Sequence, residues 1–178
     1  MIYIIEGPDN VGKSTQGKLL YGHLNGKCEH TFYLHCSNFP TLIDGITPYE
    51  HACEYYLSLL NSTAFVNWNY IFDRSHLGEW VYGQIYRNYK PYRIFEIEKE
   101  SLIPFGKVKC IFLLDEPENL IRREDGHSFS TDLEIKKKEI EYFKEAASLT
   151  NYESCIIDIN KKQPIEVFSE ILTFIGAV

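Results

Sequence analysis

The residues with the clearest chemical meaning form one short stretch, Gly7-Pro8-Asp9-Asn10-Val11-Gly12-Lys13-Ser14, which has the full G-x-x-x-x-G-K-[ST] spacing. Such a stretch works only between a buried strand and a helix, because its backbone must wrap an anion before the helix N-terminus. Gly7 and Gly12 let the chain turn, so that the N–H groups of Asn10, Val11 and their neighbours face phosphate oxygens. Lys13 then supplies positive charge to the β- and γ-phosphates, Ser14 a hydroxyl for Mg²⁺, and Thr15 a further phosphate contact. The chemistry implied is the binding of a nucleoside triphosphate with Mg²⁺.

Phosphoryl transfer also needs cations along the path of the moving group. The candidates are Lys13, Arg74 in Asp73-Arg74-Ser75, and the pair Arg122-Arg123. Each has a plainer reading. Arg122 and Arg123 could complement a helix dipole, worth about 0.3–1 kcal/mol, Asp73 and Arg74 could form a surface ion pair, and Asp9 suits a turn. The segment His76 to Arg87 is rich in aromatic residues: Trp80, Tyr82 and Tyr86 could wall a flat ligand, with Gln84 reading its edge. Val81, Ile85 and Tyr89 make a helical stripe of their own, so core packing accounts for part of this segment. His76 reads as a loop histidine, and Glu79 as a first-turn carboxylate favoured by the dipole.

Strands and helices that alternate can position these residues. Residues 1–6 (MIYIIE) are a strand buried on both faces, and from Ser14 the apolar positions Leu19, Leu20 and Leu24 recur at helical spacing up to Asn25-Gly26. Further strands are expected at residues 31–36, 70–73, 108–114 and 155–159, with helices at about 49–65, 77–89, 92–102, from Pro117, to about 149, and from Pro164. Thr131-x-x-Glu134 has the form of a capping box, and Ile165, Phe168, Ile171, Leu172 and Ile175 form an apolar stripe on the last helix. The pattern predicts an α/β fold with a parallel sheet covered on both faces.

Composition sets the outer bounds. Across 178 residues, 18 Lys+Arg stand against 25 Asp+Glu for a formal net charge of −7, and 44% of residues are apolar. That is enough for a core without disulfides or structural metals, which excludes a disordered chain and a small cross-linked scaffold. The cysteines, Cys28, Cys36, Cys53, Cys110 and Cys155, are scattered with no C-x-x-C pair, against a disulfide framework or zinc site and in favour of a reducing compartment. The opening residues are too short and uncharged for a signal peptide, and no run approaches the ~18 apolar residues of a membrane span. A cytoplasmic protein with no membrane partner is expected. The acidic balance counts against a protein that coats nucleic acid.

Several pieces in order resemble a thymidylate kinase: Asp9 inside the phosphate loop, Asp73-Arg74 closing the third strand, and Tyr82 nine residues later. Phe112-Leu-Leu-Asp115-x-Pro117-Glu118 with Arg122-Arg123 resembles that family's fourth strand and the approach to its mobile LID segment, and Ile157-Asp158-Ile-Asn160-Lys161 leading to Ile165-Glu166-x-Phe168 its last strand and helix. The resemblance implies a single three-layer P-loop kinase domain over 1–178, with sheet order 2-3-1-4-5 and a LID at about 122–131. It implies ATP- and Mg²⁺-dependent phosphoryl transfer to a deoxynucleoside monophosphate, dTMP being the first acceptor to expect. Asp9 would contact the 3′-hydroxyl of the sugar, and Arg74 the acceptor phosphate. Phe39, Pro40, Trp80, Tyr82 and Gln84 would line the acceptor site, Ser14 and Asp73 would hold the metal, and Arg122 and Arg123 would be the LID-supplied arginines. A homodimer is compatible with this, and the mixture of features is compatible with a viral source.

The chain also departs from that family. Phe39-Pro40-Thr41-Leu42 lacks the arginine expected near the end of the second strand. A deoxynucleoside kinase, which Asp73-Arg74-Ser75 also resembles, is therefore carried alongside. A neutral hydroxyl acceptor would need a carboxylate base, for which Asp9, Asp44 and Glu50 are the nearby acids. A kinase of a hydroxyl within phage DNA and a regulatory module that only binds ATP complete the alternatives.

Overall fold

In the computed structural model, which describes residues 1–27, 30–36 and 48–177, the chain alternates strand and helix as far as its sequence pattern requires. The elements are β1 (Ile2–Glu6), α1 (Lys13–Gly26), β2 (Thr31–His35), α2 (Pro48–Thr63), β3 (Asn69–Asp73), α3 (Leu77–Tyr86), α4 (Arg93–Glu100), β4 (Val108–Leu114), α5 (Pro117–Arg122), α6 (Leu133–Leu149), β5 (Glu153–Asp158) and α7 (Pro164–Ile175). The five strands form one parallel sheet in the order β2-β3-β1-β4-β5. Right-handed crossovers from β1 toward β2 and from β3 toward β5 run in opposite directions, so they place helices on opposite faces. Accordingly α1 packs with α7, while α3 packs with α6 and α2 with α4.

The inner strands hold the core. Ile4, Ile5, Ile71, Phe72, Val108, Cys110, Ile111 and Phe112 are all buried, which explains why β1 and β4 read as continuous apolar runs rather than alternating ones. β2 and β5 lie at the edges and are correspondingly half exposed. Because every strand runs the same way, the C-terminal ends of β1 and β3 come together at the point where the chain's direction across the sheet reverses.

Four local expectations are corrected. The helix expected from Ser14 starts at Lys13. The helix expected to reach Tyr89 ends at Tyr86, because the Gly83 carbonyl accepts the N–H groups of both Arg87 and Tyr89 and Asn88 turns to φ +54°. The cap of α6 is Asp132, whose carboxylate accepts the Ile135 N–H, rather than Thr131. On α7 the buried stripe is Val167, Phe168 and Ile171, while Ile165 is exposed. A true capping box is found at Gln163 and Glu166 instead.

Candidate active site

The phosphate loop follows β1 directly. Gly7 has φ +143°, and a side chain there would bring a Cβ to 2.2 Å from the Leu113 carbonyl oxygen, so only glycine fits. Gly12, at φ +88°, caps α1 in the left-handed conformation. Lys13 Nζ donates to the carbonyl oxygens of Gly7 at 2.8 Å and Pro8 at 2.5 Å. Burial, and then repulsion by Arg74, lower the Lys13 ammonium to about 7, with Asp9, Asp73 and Glu6 pulling the other way. An anionic phosphate beside it favours the charged form.

Asp73 closes β3 opposite this loop and is fully buried. Its Oδ2 accepts from Ser14 Oγ at 2.5 Å and Tyr33 hydroxyl at 2.7 Å, and His35 Nδ1 lies 2.7 Å away. Burial pushes the Asp73 carboxyl up, but these three partners together hold it below its ordinary value. Its Oδ1 is buried with no hydrogen-bond partner among the described residues. A buried, ionised carboxylate with one free oxygen beside a hydroxyl fits Mg²⁺, which takes oxygen ligands and keeps much of its water shell. Tyr33 and His35, which help to hold this carboxylate, were not foreseen from the sequence.

Arg74 comes next in the chain and adopts φ +72°, a costly conformation for a non-glycine residue. Its neighbours hold it there: its own N–H donates to the Ile5 carbonyl at 3.0 Å, and the Ser75 N–H donates to Glu6 Oε1 at 2.7 Å. The guanidinium forms an ion pair with Asp9 and sits 6.0 Å from the centroid of the Tyr82 ring. Its buried Nε has no hydrogen-bond partner among the described residues.

Glu6 and its surroundings are the part of the site that sequence reading passed over. The Glu6 carboxyl ends an otherwise apolar strand, accepts the Ser75 and Gly78 N–H groups, and is raised to about 7 by burial. Ser75 Oγ lies 3.0 Å from His76 Nδ1, and His76 Nε2 lies 2.8 Å from Glu98 Oε1. Glu98 also accepts from Thr150 Oγ1 at 2.7 Å and from the Asn151 N–H at 2.6 Å. Burial pushes the Glu98 carboxyl up, but these partners hold it below its ordinary value. His76 lies in the turn ahead of α3, as a loop histidine should, but it is fully buried there and links the Arg74 turn to the residues just before β5. The only signal in the sequence was a carboxylate placed where a strand should be apolar.

Three adjoining cavities meet here. A pocket of about 710 Å³ is lined by Asn10, Thr15, Asn119, Arg122, Arg123 and Asn160 among others. A cleft of about 390 Å³ is lined by Asp9, Lys13, Ser14, Thr15, Arg74 and His127 among others. A pocket of about 110 Å³ is lined by Glu6, Arg74, Glu79, Tyr82, Arg87 and Phe129 among others. Arg122 and Arg123 thus reach the first pocket from the end of α5. Arg123 is ion-paired with Asp115, and its Nη1 donates to the Asn10 carbonyl at 3.2 Å. Val11, within the loop, is buried.

Two candidates lie elsewhere. Trp80 packs edge-on and tilted against Tyr92 and Phe95 and donates Nε1–H to Glu145 at 3.1 Å, so the helix turns it into the core. Gln84 donates to the Trp80 carbonyl of its own helix at 2.7 Å. Position 82 faces the pocket, and 80 and 84 are about 200° away from it on a helix of 3.6 residues per turn. Phe39, Pro40 and Asp44 lie outside the described residues. Glu79 does border the pocket, held by Arg87 at 2.5 Å and by the Tyr89 hydroxyl.

The sheet order, the strand-to-helix phosphate loop and the placement of the cavities define the fold of the P-loop kinases. Among solved structures the chain is similar to the YorR protein of Bacillus subtilis in complex with phosphorylated GDP, with a TM-score of 0.73, 20% identity, and 99% of this chain and 96% of that one covered. It is similar to thymidylate kinase from Ehrlichia chaffeensis, with a TM-score of 0.67, 13% identity and 98% of each chain covered. It is also similar to deoxyadenosine kinase from M. mycoides with dCMP and dCDP bound, with a TM-score of 0.63, 14% identity and 100% of each chain covered. No family model and no curated protein sequence matches the chain.

Proposed function

We propose that the protein is a cytoplasmic kinase that transfers the γ-phosphoryl group of ATP to a deoxynucleoside monophosphate, with dTMP the leading acceptor. The observation that carries this is Arg74: among the described residues it alone lines both the cleft beside Lys13 and the pocket bounded by Tyr82 and Phe129. A cation shared by a phosphate cleft and an adjoining aromatic pocket suits an acceptor that has both a phosphate and a base. The similar folds of a thymidylate kinase and of proteins holding phosphorylated GDP or dCMP support the same class of acceptor.

In this reading the donor triphosphate occupies the loop of residues 7–15, with Asn119, Asn160 and the α5 arginines beside it. Lys13 and Arg74 stabilise charge on the transferring group, preorganised by backbone carbonyls and by Asp9. Ser14 and Asp73 hold Mg²⁺, which when bound offsets negative charge on the phosphates. The segment at 122–131 acts as the LID.

A second reading has a specific observation behind it. Burial raises the carboxyls of Glu6 and Glu79, and both border the pocket, as a base for a neutral nucleoside hydroxyl would. Acceptor-dependent ADP release with MgATP decides between the two. The panel is dTMP, dUMP, dCMP, dGMP, dAMP, the matching nucleosides and a short DNA duplex. Stimulation by a monophosphate is expected. Stimulation by nucleosides or DNA alone transfers the role to the carboxyl reading or to a DNA acceptor, and ATP binding with no stimulated turnover rejects the enzyme.

A further inference from the structure

Phe129 is a large apolar side chain with 61% of its surface exposed, yet its ring has defined neighbours. Its centroid lies 5.0 Å from Tyr86 at an interplanar angle of 29° and 5.4 Å from Tyr82 at 39°. It borders the same pocket as Arg74, Glu79 and Arg87.

Both tyrosines are fixed from behind. The Tyr86 hydroxyl donates to Glu139 Oε1 at 2.5 Å, and Glu139 is itself paired with buried Lys136 at 2.9 Å. The Tyr82 ring meets Phe143 edge-on at 6.0 Å. The chain leading to Phe129 is fixed from the opposite side, by the phosphate loop. Asn10 Nδ2 donates to Glu124 Oε2 at 3.0 Å and to Ser128 Oγ at 2.9 Å. Glu124 Oε1 in turn accepts the N–H groups of Gly126 and Ser128 at 2.7 and 3.1 Å. Asp125, His127 and Ser128 border the cleft beside Lys13. One short segment therefore touches the triphosphate side of the site with 125–128 and the aromatic pocket with 129.

We propose that Phe129 is an acceptor-binding residue: its ring, backed by Tyr82 and Tyr86, offers its exposed face as a stacking surface for a flat base in the pocket, while Asn10 sets its position from the phosphate loop. The inference rests on the nucleotide-kinase reading above and adds the residue that grips the acceptor's base. An exposed ring with two aromatic neighbours and no apolar cover exchanges water for a base face at little cost in reorganisation.

The test is Phe129→Ala, with Phe129→Trp as the conservative variant, in steady-state kinetics with the best acceptor of the panel and in calorimetric binding of that acceptor. Because the side chain is exposed, Phe129→Ala should keep the wild-type melting temperature. Removal of one base–aromatic contact is expected to raise the acceptor KM and Kd roughly five- to a hundredfold, to leave the KM for MgATP within about twofold, and to be largely reversed in Phe129→Trp. An unchanged acceptor KM, or equal rises in both KM values, overturns the role of Phe129. If the wild-type protein itself neither binds nor phosphorylates any nucleotide of the panel, the nucleotide-kinase reading has failed and this inference with it. That outcome appears in the wild type alone.

Discussion

On the side of the cleft proposed for the triphosphate, Gly7 to Thr15 form one contiguous strand-to-helix turn. The pocket proposed for the acceptor instead draws Glu6, Arg74, Glu79, Tyr82, Arg87 and Phe129 from β1, the β3–α3 turn, α3 and its end, and the segment ahead of α6. The first half is held by local backbone geometry: two glycines with positive φ, a helix N-terminus, and carbonyls that restrain Lys13. The second is held by buried polar groups far apart in sequence, namely Glu6 on the Ser75 turn and Glu98 on His76. A cradle built locally tolerates distant change, whereas a pocket assembled from many elements depends on its buried supports and can be retuned by them.

The sharpest way to break this contrast is Lys13→Ala, which removes charge from the cradle alone. Turnover is expected to fall by about 10²–10³-fold or more, with circular dichroism unchanged, since the residue sits on a loop-to-helix junction rather than in the apolar core. A variant retaining near wild-type rate in the ADP-release assay would remove the phosphate loop from the chemistry.

Asp9 tests the boundary itself, because it belongs to the loop by sequence and to the acceptor side through its ion pair with Arg74. Asp9→Ala is expected to raise the acceptor KM by roughly tenfold or more, the scale of one lost charged hydrogen bond, and to leave the KM for MgATP nearly unchanged. Equal effects on both substrates would show that the two halves are not separable.

The smallest effect is expected from Glu98→Gln, which touches neither substrate. One charged partner of His76 is lost, at a cost of about 1–3 kcal/mol, so Tm should fall by a few degrees. The sign of its pH dependence follows from Glu98 lying below its ordinary value of 4.5 when folded. Its stabilisation is complete above the unfolded value and disappears as pH falls through the lower, folded one. The wild-type and variant Tm curves should therefore converge on acidification. Parallel curves would mean that the charge of Glu98 contributes nothing.

Much of the fold was readable because hydrophobic period and turn residues act locally. The run at 108–114, the apolar MIYIIE and the Gly7-to-Ser14 spacing needed no neighbours to be understood. The limits of α3 and the cap of α6 shifted because Gly83, Asn88 and Asp132 made hydrogen bonds that period alone does not reveal. Trp80 and Tyr82 show the same limit in the site. Both suit a base pocket by type, but only the rotation of α3 against α4 and α6 sends one inward and the other to the cleft. Glu98 and Phe129 carried no readable signal, since a helical glutamate and a loop phenylalanine are ordinary residues until their partners are known.

What the sequence alone determined is the phosphate cradle and the parallel α/β architecture, because a strand, a glycine turn and a helix follow from short-range sterics and periodicity. The tertiary structure alone decided which residues line the pocket proposed for the acceptor, and what supports them from behind. The lining joins positions 6, 74, 82 and 129, with Glu98 holding His76 behind it, and the energies that select this arrangement come from burial of charge and packing of rings across the assembled sheet.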